Sequence, residues 1–155
     1  ADKRAAGRGW GNCSRSVGAI TPKAGWETDM AKVIIDTERA PKSLAGYSQA
    51  VKSNGFIFVA GQGPFDAETG NLIGITIQEQ TAQCLRNIEA ILRAAGSSLG
   101  RAVSATFILG DENEFAGMNE EWGKWFPEDP PARQGAKLPI NSKGMRISIA
   151  VVAEA

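Results

Sequence analysis

The chain has 155 residues, 43% hydrophobic and 22% charged, which is enough for one packed core and short for two. Lysine plus arginine and aspartate plus glutamate number 17 each, so no global field draws it to nucleic acid or an anionic membrane, and RNA would need a local basic patch. It has no histidine and no run near the ~18 apolar residues of a membrane span, which excludes histidine triads and argues against a membrane partner.

Residues 1–29 are rich in Gly, Ala, Ser, Lys and Arg and carry no helical or strand period. They read as an N-terminal extension of unknown role: a leader, a cloning remnant or a family-specific arm lying on a neighbouring subunit. Their basic, acid-poor character is weakly like an organelle transit peptide, although Gly and Pro spoil the amphipathic helix such a peptide needs. Without such a leader the expected location is the cytoplasm. Met30 is a plausible internal start, and residues 30–155 form the expected domain.

Val33-Ile34-Ile35 is a short strand. Gln49 to Ser53 and Phe56 to Ala60 form a hairpin turned by Asn54-Gly55, a dipeptide that tolerates positive φ. Ile77 to Ala95 is the clearest helix, with Cys84, Leu85, Ile88, Ile91 and Leu92 on one face and Gly96 as its stop. Ala102 to Leu109 is a strand. Asp111 with Glu114 resembles a capping box opening a helix through Trp125, which Pro127 ends. Ala132 to Lys137 and Arg146 to Ala153 are the last strands. The order predicts a two-layer α+β domain, a sheet with two helices on one face. Strands apolar on both faces, such as Ile147, Ile149 and Val151 with Val152, call for cover by a second copy of the chain.

Candidate chemistry is sparse. Cys84 lies in the apolar helical stripe and Cys13 has no CxxC partner, so the chain reads as intracellular and metal-free. Gly61, Gly63 and Gly70 lack the Lys-Ser/Thr of a phosphate loop and fit a tight turn beside a strand. Pro130-Pro131-Ala132-Arg133 sets one guanidinium at the start of a strand between rigid neighbours, where it can grip a carboxylate with two parallel hydrogen bonds or serve as a surface ion pair.

Five segments occur together in order: Tyr47-Ser48-Gln49-Ala50; Gly61-Gln62 before Asp66 to Gly70; Gln80-Thr81 through Asn87-Ile88 and Ala94-Ala95-Gly96; Phe115 with Met118-Asn119; and Pro131-Ala132-Arg133. From about Val33 to Ala153 the chain thereby resembles the reactive intermediate deaminase family, Rid or YjgF. The resemblance implies a chorismate-mutase-like fold with a mixed six-stranded sheet, a homotrimer, and small-molecule sites in the clefts between subunits. It carries the family's pocket onto Tyr47, Gly61, Phe115, Asn119, Arg133 and the Gly135 amide. Phe115 could equally be a core residue of the second helix, and Tyr47 a cap on the sheet.

The implied activity is hydrolysis of small carboxylate-bearing imines and enamines to ammonia and a 2-oxo acid, with no cofactor. The chain departs from the family pattern where the last strand's usual Glu falls on Ser148, which with Arg133 is the candidate catalytic pair. Pro139 falls inside the strand after Arg133, where it removes a ladder donor and implies an edge or a bulge, and Gln134-Gly135 replaces the small residue pair usual after the arginine. The rival expectations are a non-catalytic binder of 2-oxo or amino acids and, least favoured by the neutral charge, an endoribonuclease.

Overall fold

A computed structural model describes residues 32–44, 46–137 and 144–155. The expected N-terminal extension, Met30, Cys13 and Pro139 lie outside the described residues.

Helix α1 (Ile77–Ala94) begins where the sequence offers its best local start signal. Thr76 accepts from the Glu79 amide, while the Glu79 carboxylate accepts from the amides of Ile75 and Thr76, closing a capping box. The helix ends at Ala95, and Gly96 takes φ +84°, a left-handed value that glycine adopts without strain. Its inner face carries Cys84, Leu85, Ile88, Ile91 and Leu92, all fully buried. Burial pushes the Cys84 thiol pKa far up, so it behaves as a small apolar core group.

Strands β1 (Val33–Ile35), β2 (Ala50–Ser53), β3 (Phe56–Gln62), β4 (Ala102–Leu109), β5 (Ala132–Lys137) and β6 (Ile147–Glu154) form one sheet in the order β1-β2-β3-β6-β4-β5. Every pairing is antiparallel except β4 with β5. Both helices pack on one side, and the alternation of β6 puts Ile147, Ile149, Val151 and Ala153 into the core beneath them. The opposite side is open in the single chain. Register aligns Ile34, Val51, Phe58 and Val152 across four strands there, and Phe58 is 48% exposed.

The expected elements recur within a residue or two, except at the second helix. Asp111 accepts from the Asn113 amide at 2.9 Å and opens only a 3-10 turn, Glu112–Glu114; helix α2 is Phe115–Trp125. The expected capping box with Glu114 does not form. Glu114 is drawn instead to Arg146 at the entrance of β6, a long-range ion pair that outcompetes the local cap.

Candidate active site

Arg133 is set by register. It pairs with Ala105 of the buried β4 face, so its side chain turns toward α2, not outward from the sheet. Nη2 donates to Asn119 Oδ1 at 2.6 Å, and Nη1 lies 4.0 Å from Met118 Sδ. Three rings surround the guanidinium, with its carbon 4.9 Å from the Trp122 centroid, 5.4 Å from Phe107 and 5.9 Å from Phe115. Desolvation holds the Arg133 pKa below the ordinary guanidinium value, while leaving the group cationic at any working pH. The packed face of the cation leaves its edge for a planar anion.

Beside it lies a hollow of about 630 Å³ lined by Phe107, Phe115, Arg133, Gly135 and Lys137 among others. Gly135 is required there: a Cβ would come within 2.1 Å of the tip of the Phe107 ring. Phe115 is 47% exposed and walls this hollow, so the core alternative does not apply to it. Phe107 and Trp122 were not singled out in the sequence. Alternation and helical spacing mark both as core, and only the packing shows that they also hold the cation.

Tyr47, Gly61 and Ser148 lie elsewhere. They line a second hollow of about 660 Å³ together with Lys42, Leu44, Phe65 and Met145. Its centre is a β-bulge: between Val59 and Gln62, β3 has one more residue than β6 has between Val151 and Ile149. The bulge brings Gly61 against Ser148, close enough that a Cβ would stand 3.0 Å from Ser148 Oγ. The Ser148 hydroxyl has no hydrogen-bond partner among the described residues and faces the hollow. Asp66, on the rim, is engaged in its own turn, where the Thr69 amide and hydroxyl and the Glu68 amide hold its pKa below the usual carboxylate range.

Within one chain, then, the candidates divide into two groups: Phe115, Arg133 and Gly135 around one hollow, with Asn119 bonded to Arg133 behind it, and Tyr47, Gly61 and Ser148 around the other. No cluster of His, Cys, Asp and Glu suited to a metal occurs among the described residues.

The family model described as Endoribonuclease L-PSP matches residues 37–155. A RutC family protein of Pyrococcus abyssi is 46% identical over 124 residues, 80% of this chain and 98% of that one. This chain belongs to the Rid (YjgF) family. A Rid relative from Rattus norvegicus named 2-iminobutanoate/2-iminopropanoate deaminase is 34% identical over 126 residues, 81% of this chain and 92% of that one. Among solved structures, E. coli TdcF with bound serine superposes with a TM-score of 0.74 at 31% identity, covering 79% of this chain and 98% of that one. The six-stranded mixed sheet and two helices are therefore those of the Rid fold. No described helix is long and apolar enough to cross a membrane.

Proposed function

We propose that this Rid protein is a hydrolytic deaminase of small carboxylate-bearing imines and enamines, working as a homotrimer whose subunits each supply half of every site. One observation carries the reading: the Arg133 guanidinium and the Ser148 hydroxyl lie in separate hollows of the same chain, which we read as the anion-anchoring and water-placing halves of one site. A second copy joining them would also cover the apolar Ile34, Val51, Phe58 and Val152 row.

In this reading the substrate carboxylate docks on the exposed edge of Arg133, assisted by the Gly135 amide, while Asn119 holds the guanidinium in plane. Phe115 and the neighbour's Tyr47 flank the apolar part. An enamine first takes a proton at C3 and becomes the imine. Water held by Ser148 Oγ and the Gly61 bulge adds to C2, the C=N electron pair moves to nitrogen, and the carbinolamine collapses to a 2-oxo acid with release of ammonia. The protonated imine is electrophilic already, so placement supplies most of the catalysis. Ser148 accepts and donates a hydrogen bond but is no carboxylate base at neutral pH.

That same serine favours one alternative, a binder of 2-oxo or amino acids that does not turn over. The discriminating experiment is ammonia release from freshly generated 2-iminopropionate, read against light scattering. The wild type should release ammonia as a trimer, and Arg133→Lys should lose about 1.5–3 kcal/mol of 2-oxobutyrate affinity, the range for a charged hydrogen bond, because an ammonium lacks the planar fork. Stoichiometric 2-oxobutyrate binding without ammonia would establish the binder. A stable 16.4 kDa monomer at micromolar concentration would remove the shared site.

A further inference from the structure

The Gln80-Thr81 and Asn87 segment takes no part in the chemistry above, yet two of its side chains are buried amides bonded to the backbone of segments that border the Ser148 hollow. Gln80 is 1% exposed. Its Nε2 donates to the carbonyls of Gly74 at 3.1 Å and Gly144 at 3.2 Å, and its Oε1 accepts from the Arg146 amide at 2.8 Å. Both of its donors and its acceptor are thus used on backbone. Two of those partners bracket Met145, whose sulfur would stand 2.8 Å from a Cβ on Gly63, and Ser148 follows Arg146 by two residues.

Asn87, seven residues further along the same face of α1, holds the opposite wall. Its Nδ2 donates to the carbonyls of Gly63 at 3.0 Å and Phe65 at 2.9 Å, and Gln83 Nε2 donates to its Oδ1 at 3.0 Å. The walls of the Ser148 hollow are loops and a strand entrance, which have few ladder bonds of their own. Helix α1 is the rigid element from which they hang.

We propose that Gln80 is a positioning residue for the hydrolytic half of the site: by holding the Gly144 to Arg146 backbone to α1, it fixes where β6 begins and so where Ser148 Oγ stands beside the Gly61 bulge. The proposal rests on the deaminase reading. Gln80 touches no substrate and acts through the backbone of Arg146. The Arg133 hollow is assembled without it, from α2, β4 and β5. Loss of Gln80 therefore separates chemistry from anchoring. A buried amide that served only stability would lower the melting temperature and leave turnover of the folded enzyme alone.

The test is steady-state hydrolysis of 2-iminopropionate by the full chain, well below each variant's melting temperature. Gln80→Met keeps the shape and removes all three hydrogen bonds. We expect kcat to fall about 10- to 100-fold, as misplacement by a distant substitution can do, with KM within about twofold. Thr81→Val serves as the control, because Thr81 Oγ1 donates only within the helix, to the Ile77 carbonyl at 2.7 Å, and its loss should lower the melting temperature without changing kcat. Should Gln80→Met not fold, Gln80→Glu, whose neutral carboxyl keeps an acceptor for the Arg146 amide and one donor for a carbonyl, carries the same split and is compared at pH 5 and pH 7. Unchanged kcat in the folded Gln80 variant, or a parallel loss of kcat in Thr81→Val, overturns the proposal while leaving the deaminase reading intact. A wild type that binds 2-oxobutyrate but releases no ammonia overturns both.

Discussion

The Arg133 hollow and the Ser148 hollow are built in different ways. Around Arg133, side chains meet side chains: Asn119, Phe107, Phe115 and Trp122 hold one guanidinium, and Trp122 is itself stacked on Phe126 at 4.8 Å. Around Ser148, buried amides hold backbone. Gln49 accepts from the Thr37 amide and donates to the carbonyls of Thr37, Ala40 and Pro41, fixing the segment that leads to Lys42 and Leu44, while Asn87 and Gln80 fix the other walls. Binding a carboxylate is a matter of one charge with fixed orientation, which rigid rings provide. Placing a water, the role proposed for the Ser148 hollow, needs several backbone segments to converge, which no single side chain can arrange.

The sharpest way to break this comparison is at Ser148. If the Ser148 hollow is already shaped for hydrolysis and lacks only a base, Ser148→Glu should raise the rate on 2-iminopropionate, with general-base contributions typically about 10² to 10⁴-fold. The hollow of about 660 Å³ gives the longer side chain room to turn away from Gly61. Ammonia release at equal protein content measures it. A fall in rate would mean that Ser148 itself orients the water and that the carboxylate displaces it.

A smaller effect is expected on the other side. Gly135→Ala places a methyl 2.1 Å from the Phe107 ring, so ring or strand must move, at about 1–3 kcal/mol for an overpacked site. Because that ring also faces Arg133, stability and 2-oxobutyrate affinity should fall together, while kcat at saturating substrate holds. Denaturant unfolding and calorimetry on the same variant check this. Reduced kcat with intact affinity would show that the two hollows are not functionally separable.

The same division governs what could be read from the sequence. Tyr47, Gly61, Phe115, Asn119, Arg133, Gly135 and Ser148 came forward as candidates through the resemblance to the family, and the strands and α1 were legible from their period. Two things were not. Phe107 looks like any inward residue of β4, since its second role depends on Gly135 lying opposite in a parallel register that sequence does not announce. The Asp111 and Glu114 pair looks like a cap, but Arg146, 32 residues away, takes the glutamate. Sites in clefts between subunits were implied by the resemblance, but not which candidate falls in which hollow of one chain. That division follows from the bulge at Ala60 and Gly61 and from which face of the sheet each strand residue meets, both tertiary facts.

The smallest expected effect concerns acid. The Ser148 side depends on carboxylates that hold backbone amides: Asp66 in the turn at the hollow's rim, and Glu79 in the cap beside Gly74. Hydrogen bonds from Thr69 lower the Asp66 pKa below 3.8, and those from Thr76 and Ile75 lower the Glu79 pKa below 4.5. A depressed folded-state pKa contributes stability that is present above the unfolded value and disappears as pH falls through the folded one. Both turns should therefore loosen only below the ordinary carboxylate range, and modestly, since both groups are exposed. Within residues 115–135 there is no counterpart among the described hydrogen bonds: the Arg133 cation does not titrate, and the Lys137 to Glu112 pair on the hollow's rim, whose hydrogen bond raises the lysine's pKa, joins two exposed side chains. Hydrogen exchange, corrected for its intrinsic pH dependence, should rise first in residues 64–80 on acidification, with residues 115–135 following only at global unfolding. Simultaneous loosening of both stretches would show that the two hollows share one cooperative unit, and that their different construction has no energetic consequence.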